Sequence, residues 1–172
     1  MNRITFVVPT KEHEAKAREY IEEHNKNGEY VMFGGALIGK KPYDDWLRQL
    51  KNNSDEKTVD PKWVVSSTLF AMNGEKIIGM IDIRHTLNQY LQAYGGHIGY
   101  GVRPTERNKG YAAEILNLGL VFCRNLGLKK VMLVCHKDNH GSSKTIEKCG
   151  GTLEREFLYT DGEPFQVYWI SI

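Results

Sequence analysis

The chain has 172 residues, enough for one domain with a buried core, and its 41% hydrophobic and 26% charged residues are globular rather than disordered composition. Lys plus Arg number 23 against 21 for Asp plus Glu, a formal net charge of +2 that gives no ground for a nucleic-acid or membrane partner. Cys123, Cys135 and Cys149 lack CxxC spacing, so no metal is expected; no stretch reads as a leader or a membrane span, which makes a reduced, cytoplasmic setting the expectation.

No repeat or linker divides the chain, so a single domain over 1–172 is predicted. Ile4 to Val8 reads as a strand, and Thr10 offers an N-cap to a helix that runs to about Asn27 and stops at Gly28. Pro42 opens a second helix to Asn52, whose Tyr43 and Trp46 read as core. Trp63 to Met72 and Lys76 to His85 form a hairpin around Asn73-Gly74. Leu87 to Gly95 is a loop or a helical turn, and His97 to Arg103 is a further strand.

Beyond Asn108 the apolar period becomes helical: Ala112, Ile115, Leu116, Gly119, Leu120 and Cys123 share a face, and Gly127 ends the run. Lys130 to Cys135 is a buried strand and Ser142 to Cys149 a short helix closed by Gly150-Gly151. Leu153 to Tyr159 and Phe165 to Ile172 pair around Asp161-Gly162. The order βα(α)βββαβαββ predicts an α/β (α+β) domain: a mixed central sheet of about seven strands flanked by helices.

The most informative stretch is HIGYGVRPTERNKGYAA, His97 to Ala113. A strand enters a basic, glycine-containing turn that opens an amphipathic helix. Helix N-termini carry unpaired N–H groups and partial positive charge, and Gly110 lets backbone approach an anion closely. Arg107 and Lys109 add charge, so the turn suits a pyrophosphate. It is neither a Walker A loop nor a GxGxxG fingerprint.

Arg107-Asn108-Lys109-Gly110-Tyr111-Ala112 resembles the [Q/R]xxGx[G/A] motif of the GNAT superfamily of N-acetyltransferases. The upstream IGYGVRP and the downstream VMLVCHKDNHGSS through Glu147 to Gly151 resemble the family's flanking strand and its NxxSxxx(Y)ExxG(F) segment. The resemblance implies central strands that splay apart, with acetyl-CoA as co-substrate and no metal. It implies pantetheine paired with backbone around Gly101 and Val102, and pyrophosphate on N–H groups of Asn108 to Ala112. Asn139 and Ser142 match positions that meet pantetheine or the phosphates, and a homodimer is a further implication.

Amine acetylation needs a deprotonated nucleophile, a polarised carbonyl and a stabilised leaving thiolate; a lysine-like amine, with a reference pKa of about 10.4, must lose a proton first. His97, where many family members carry a glutamate, is the nominated base. The family's usual tyrosine acid is replaced by Ile146, which leaves the thiolate to be protonated by water or by another residue such as Ser142, or to depart unassisted. Arg84, His85 and Tyr94 are candidate substrate contacts. The expected activity is N-acetylation of a small-molecule or peptide amine, with no nucleic acid or membrane involved; the alternative, kept open by Ile146, is a non-catalytic acyl-CoA-binding or regulatory module.

Overall fold

A computed structural model describes residues 3–172. The strands are β1 (Thr5–Val7), β2 (Ser66–Asn73), β3 (Lys76–Arg84), β4 (Ile98–Val102), β5 (Lys130–His136), β6 (Thr152–Leu158) and β7 (Pro164–Ser171). The α-helices are α1 (Glu14–Lys26), α2 (Tyr43–Asn53), α3 (Tyr111–Asn125) and α4 (His140–Lys148). A 3₁₀ turn at Lys11–His13 precedes α1, so Thr10 caps that turn rather than α1 itself. The segment left open between loop and helix is a π-helical turn at Leu91–Gly95.

Each predicted element is present in order, and the sheet is built as two antiparallel ladders, β1-β2-β3-β4 and β5-β7-β6. The first hairpin turns at Gly74-Glu75, with Asn73 paired to Lys76 as the last rung; Gly74 takes the positive φ, 54°, that the turn requires. A bulge near Ile78 resets the alternation of β3, which feeds both faces of the sheet. Ile78, Ile81 and Ile83 pack with Ile115, Leu116 and Leu120 of α3. Ile77 and Met80 pack on the opposite face with Ala17 and Tyr20 of α1 and Trp46 of α2. Trp46 is fully buried and donates its indole N–H to the Gly35 carbonyl, as a core tryptophan must.

The two ladders meet where β4 and β5 begin. The His97 N–H donates to the Met132 carbonyl at 2.8 Å, and the Met132 N–H donates to His97 Nδ1 at 3.0 Å. Beyond this junction the strands run in the same direction and separate. Register fixes what faces the opening. Arg84 N–H bonds to His97 carbonyl and Arg103 N–H to Ile78 carbonyl, so the odd positions of β4 turn their backbone groups toward β3. Ile98, Tyr100 and Val102 therefore face the opening. Ile172 N–H to Lys129 carbonyl and Lys137 N–H to Pro164 carbonyl do the same for β5, leaving Val134 and His136 facing it from the other side.

Buried His97 is 6% exposed, and burial with the Arg84 charge nearby pushes its pKa down to about 4. Unfolded, the ring takes up a proton near pH 6.5, so between 6.5 and 4 the unfolded chain binds more protons and stability drops as the pH is lowered. His97→Asn, whose carbonyl oxygen keeps an acceptor for Met132, should flatten this loss in chemical denaturation followed from pH 7 to pH 4. An unchanged slope would show that the ring does not titrate this way.

Candidate active site

The opening between β4 and β5 is the wall of a cavity of about 650 Å³. Its lining takes in β4 from Ile98 to Val102, β5 from Leu133 to His136, the turn and first residues of α3, and the exposed side of α4. Val31, Phe33 and Glu29, from the segment after α1, close one flank.

The turn into α3 is a backbone cradle of free N–H donors that could hold an anion. Asn108 and Gly110 both have positive φ, 61° and 85°, separated by Lys109. The N–H groups from Asn108 to Ala113 find no acceptor among the described residues. The first of them belong to the turn and the last to the opening of α3, where helical geometry leaves donors free. Alternation of handedness in a short segment turns consecutive N–H groups toward one concavity, and the α3 dipole adds positive potential there. The Cβ of a residue other than glycine at 110 would be strained by φ alone.

The charges expected to assist this cradle are committed elsewhere. Arg107 forms a two-pronged pair with Glu29, both N···O distances 2.6 Å, and its Nε donates to the Val102 carbonyl at 3.0 Å. The guanidinium holds the Glu29 carboxyl at about 2. Glu29 in turn meets Nδ1 of buried His24 at 2.8 Å. Lys109 pairs with Glu106 at 3.0 Å and does not line the cavity. The side chain of Tyr111 is buried, its hydroxyl accepting from Asn73 Nδ2 at 3.1 Å, and Ala112 keeps the cradle's surface low. Arg103, 2% exposed, pairs with Glu23, whose carboxyl is lowered to about 2: burial opposes this, but hydrogen bonds from Arg103 and Thr105 outweigh it. These pairs tie α1 to the turn that leads into the cradle.

Gly101 lines the cavity, but its backbone bonds toward β3, so Val102 and Tyr100 are the residues whose backbone faces the opening. The absent side chain of Gly101 serves another contact: a Cβ there would lie 2.8 Å from the Phe33 carbonyl. On the far side, Asn139 caps α4 by accepting from the Ser142 N–H at 3.1 Å. The Ser142 hydroxyl sits 3.2 Å from the Tyr100 hydroxyl, which crosses from β4 to α4. Burial pushes Tyr100 up to about 12, so the phenol stays protonated at neutral pH. Ile146 is fully buried among the core residues of α3, β5 and β7.

The nominated catalytic and substrate residues fall outside the cavity lining. His97 cannot serve as a base while its Nδ1 lone pair receives the Met132 N–H, because the neutral ring then carries its proton on Nε2. Arg84 is bound to Asp82 at 2.9 Å and reaches the carbonyls of Gly95 and Gly96, strapping the π-helical turn. His85 meets the Ser67 hydroxyl at 2.9 Å and lies near Phe122 of α3. Tyr94 belongs to an aromatic cluster beside the cavity. Sequence reading missed Glu29, Phe33 and His136: the first two lie in an irregular segment without periodicity, while His136 was visible only as one step of alternation beyond Cys135. Both buried cysteines, Cys123 and Cys135, have thiols pushed up by burial, consistent with packing.

Comparison with known proteins gives the same architecture. Among curated proteins none matches the chain by sequence. Solved structures do match in fold. The microcin self-immunity acetyltransferase MccE, solved with acetyl-CoA and AMP, superposes with a TM-score of 0.71 at 20% identity, covering 100% of this chain and 94% of that one. A variant of the spermidine N-acetyltransferase SpeG from Vibrio cholerae gives 0.68 at 14% identity, covering 97% and 94%. RimL, a ribosomal α-N-protein acetyltransferase, gives 0.67 at 12%, covering 100% and 92%. Identities this low speak to fold alone. The profile of the acetyltransferase (GNAT) domain matches residues 3–152, which is most of the chain, and on that match the chain belongs to the GNAT family of acetyltransferases.

Proposed function

We propose that this protein transfers the acetyl group of acetyl-CoA to the primary amine of a small molecule by direct attack on the thioester. The observation that carries the reading is the run of free N–H groups from Asn108 to Ala113 at the mouth of an opening between parallel strands. That run fits a pyrophosphate in shape and charge without a lysine or arginine. The cleft fits a slender arm, because the backbone of Tyr100 and Val102 has no partner strand on that side and pairs with an amide-bearing chain as a strand would.

Acetyl-CoA supplies an activated acyl thioester. The chain's own residues supply position and protons. An amine near pKa 10.4 arrives charged and must lose a proton before a C–N bond forms and the C–S bond breaks. His136 is the base in this reading: it lines the cavity, sits at the edge of the opening and has its ring on Phe165 at 3.9 Å. The sulfur receives its proton from the Ser142 and Tyr100 hydroxyl pair, which reaches α4 from β4 and substitutes for the phenol that Ile146 lacks. Backbone N–H groups along the opening favour negative charge as it develops on the acyl oxygen. Asn139 fixes Ser142 through its cap on α4. The homodimer implied by the family resemblance belongs to this proposal; exposed Leu153 and Leu158 on edge strand β6 support it.

Free CoA should accumulate in steady state with acetyl-CoA and an accepted amine, whereas a non-catalytic binding module would bind acetyl-CoA and release none. In the same assay Tyr100→Phe should lower kcat about 100-fold, the low end of what proton transfer by a positioned side chain contributes, with KM for acetyl-CoA unchanged. An unaltered kcat would remove Tyr100 from the proton path.

A further inference from the structure

The acceptor's entrance has a distinct chemistry. Val131, Leu133 and Cys135 of β5 pack toward α3 and α4, so Val134 and His136 point to the opposite face. Register carries that face outward: His136 pairs with Phe165, and Phe165 with Phe157. Phe157 and Phe165 stack at 5.6 Å with 12° between their planes. The π-helical turn then lays Tyr94 on Phe157 at 5.5 Å and on Tyr159 at 5.2 Å, and Tyr90 joins Tyr94 at 5.5 Å. His136 and Phe165 line the cavity, and Tyr159 and Tyr94, outside the lining, continue the aromatic contacts from Phe165 to the surface.

The facing wall is Val31 and Phe33. Both line the cavity, yet they are 55% and 60% exposed. Their segment can approach β4 so closely because glycine stands on both sides: a Cβ on Gly34 would lie 2.7 Å from the Gly99 carbonyl, and one on Gly101 2.8 Å from the Phe33 carbonyl. Gly34, at φ 74°, and the strained Ala36 and Leu37, at φ 46° and 65°, hold this loop in a shape that leaves Phe33 outward. Large apolar groups left bare at a cavity rim gain by covering a flat apolar body.

Charge narrows the choice. The carboxylates of the lining are Glu29 and Glu106, and each is already paired, Glu29 with Arg107 and Glu106 with Lys76 and Lys109. Buried Asp82 nearby is paired with Arg84. A polyamine would bring two or more charges to a lining whose two carboxylates are both already paired. One ammonium, by contrast, is served by tyrosine and phenylalanine faces until it loses its proton.

We propose that the acceptor is a monoamine carried on a flat aromatic body, held between Phe33 on one side and the Phe165–Tyr94 wall on the other. This rests on the acetyltransferase reading above and fixes the substrate class of that same site. The aromatic body slots between the walls and leaves the amine at the opening, within reach of His136.

Initial rates of CoA release, with tryptamine, spermidine and a short peptide with a free N-terminus as acceptors, test it. Tryptamine should have the highest kcat/KM. Phe33→Ala, a surface substitution, and Phe165→Leu should each raise its KM roughly 10-fold while leaving KM for acetyl-CoA within about twofold. A preference for spermidine or the peptide would overturn the aromatic assignment and leave the acetyltransferase reading standing. So would a KM for tryptamine that neither variant moves. No CoA release from any of the three, with acetyl-CoA bound, would overturn both.

Discussion

The paired hydrogen bonds between His97 and Met132 set the form of everything beyond them. They are the last rungs that hold β4 to β5; past them each strand keeps its outer partner and loses its inner one. An unpaired buried N–H costs about 1–3 kcal/mol, so the imidazole is worth more as an acceptor for Met132 than as a base that would have to abandon it. A closed end and an open end follow from one contact, and the cavity is the space between two antiparallel ladders that stop pairing with each other. Loss of sheet pairing over a few residues is tolerable here because the freed groups face an open cleft that solvent can enter.

The second constraint is the way charge is spent. A basic turn invites the assumption that its arginine and lysine meet phosphate directly. In the folded chain Arg107 is locked to Glu29 and the Val102 carbonyl, and Lys109 to Glu106, so the cradle's positive potential is that of aligned N–H groups and a helix terminus. The arginine instead joins three parts: the end of β4, the segment after α1 and the turn before α3. Since that segment also carries Val31 and Phe33, the same guanidinium positions the turn before α3 and one flank of the cavity, the flank proposed above as a wall of the acceptor's entrance.

Element order was readable because apolar periodicity changes from two to about 3.6 at Asn108 and because glycine punctuates the helices at Gly28 and Gly127. Gly110 alone marked little, since glycine also serves as an ordinary helix N-cap; the pyrophosphate expectation drew its weight from the resemblance of Arg107 to Ala112, the preceding strand and the Asn139 to Gly151 segment, taken together, to the family's motifs. What eluded the sequence was the partnering of side chains. Glu29 and Arg107 stand 78 residues apart, and nothing local marks them as a pair. His97 looked free because its ring acceptor is a backbone N–H 35 residues away, and Tyr100 looked like strand filling because its hydroxyl partner, Ser142, lies 42 residues on. Gly101 was expected to offer its backbone to the cleft, but strand parity assigns that to Tyr100 and Val102, a difference of one residue that only register reveals.

The central claim, that the N–H run before α3 receives the pyrophosphate of acetyl-CoA, is tested most directly by calorimetric titration with acetyl-CoA and CoA, using ATP as control. Wild type is compared with Gly110→Glu and Ala112→Glu, each verified as folded by circular dichroism. The account predicts saturable binding of both CoA species to wild type and its loss in both variants, since a carboxylate beside the cradle opposes an anion that backbone donors alone would hold. Binding that survives in both folded variants, or no binding to wild type at all, would contradict it.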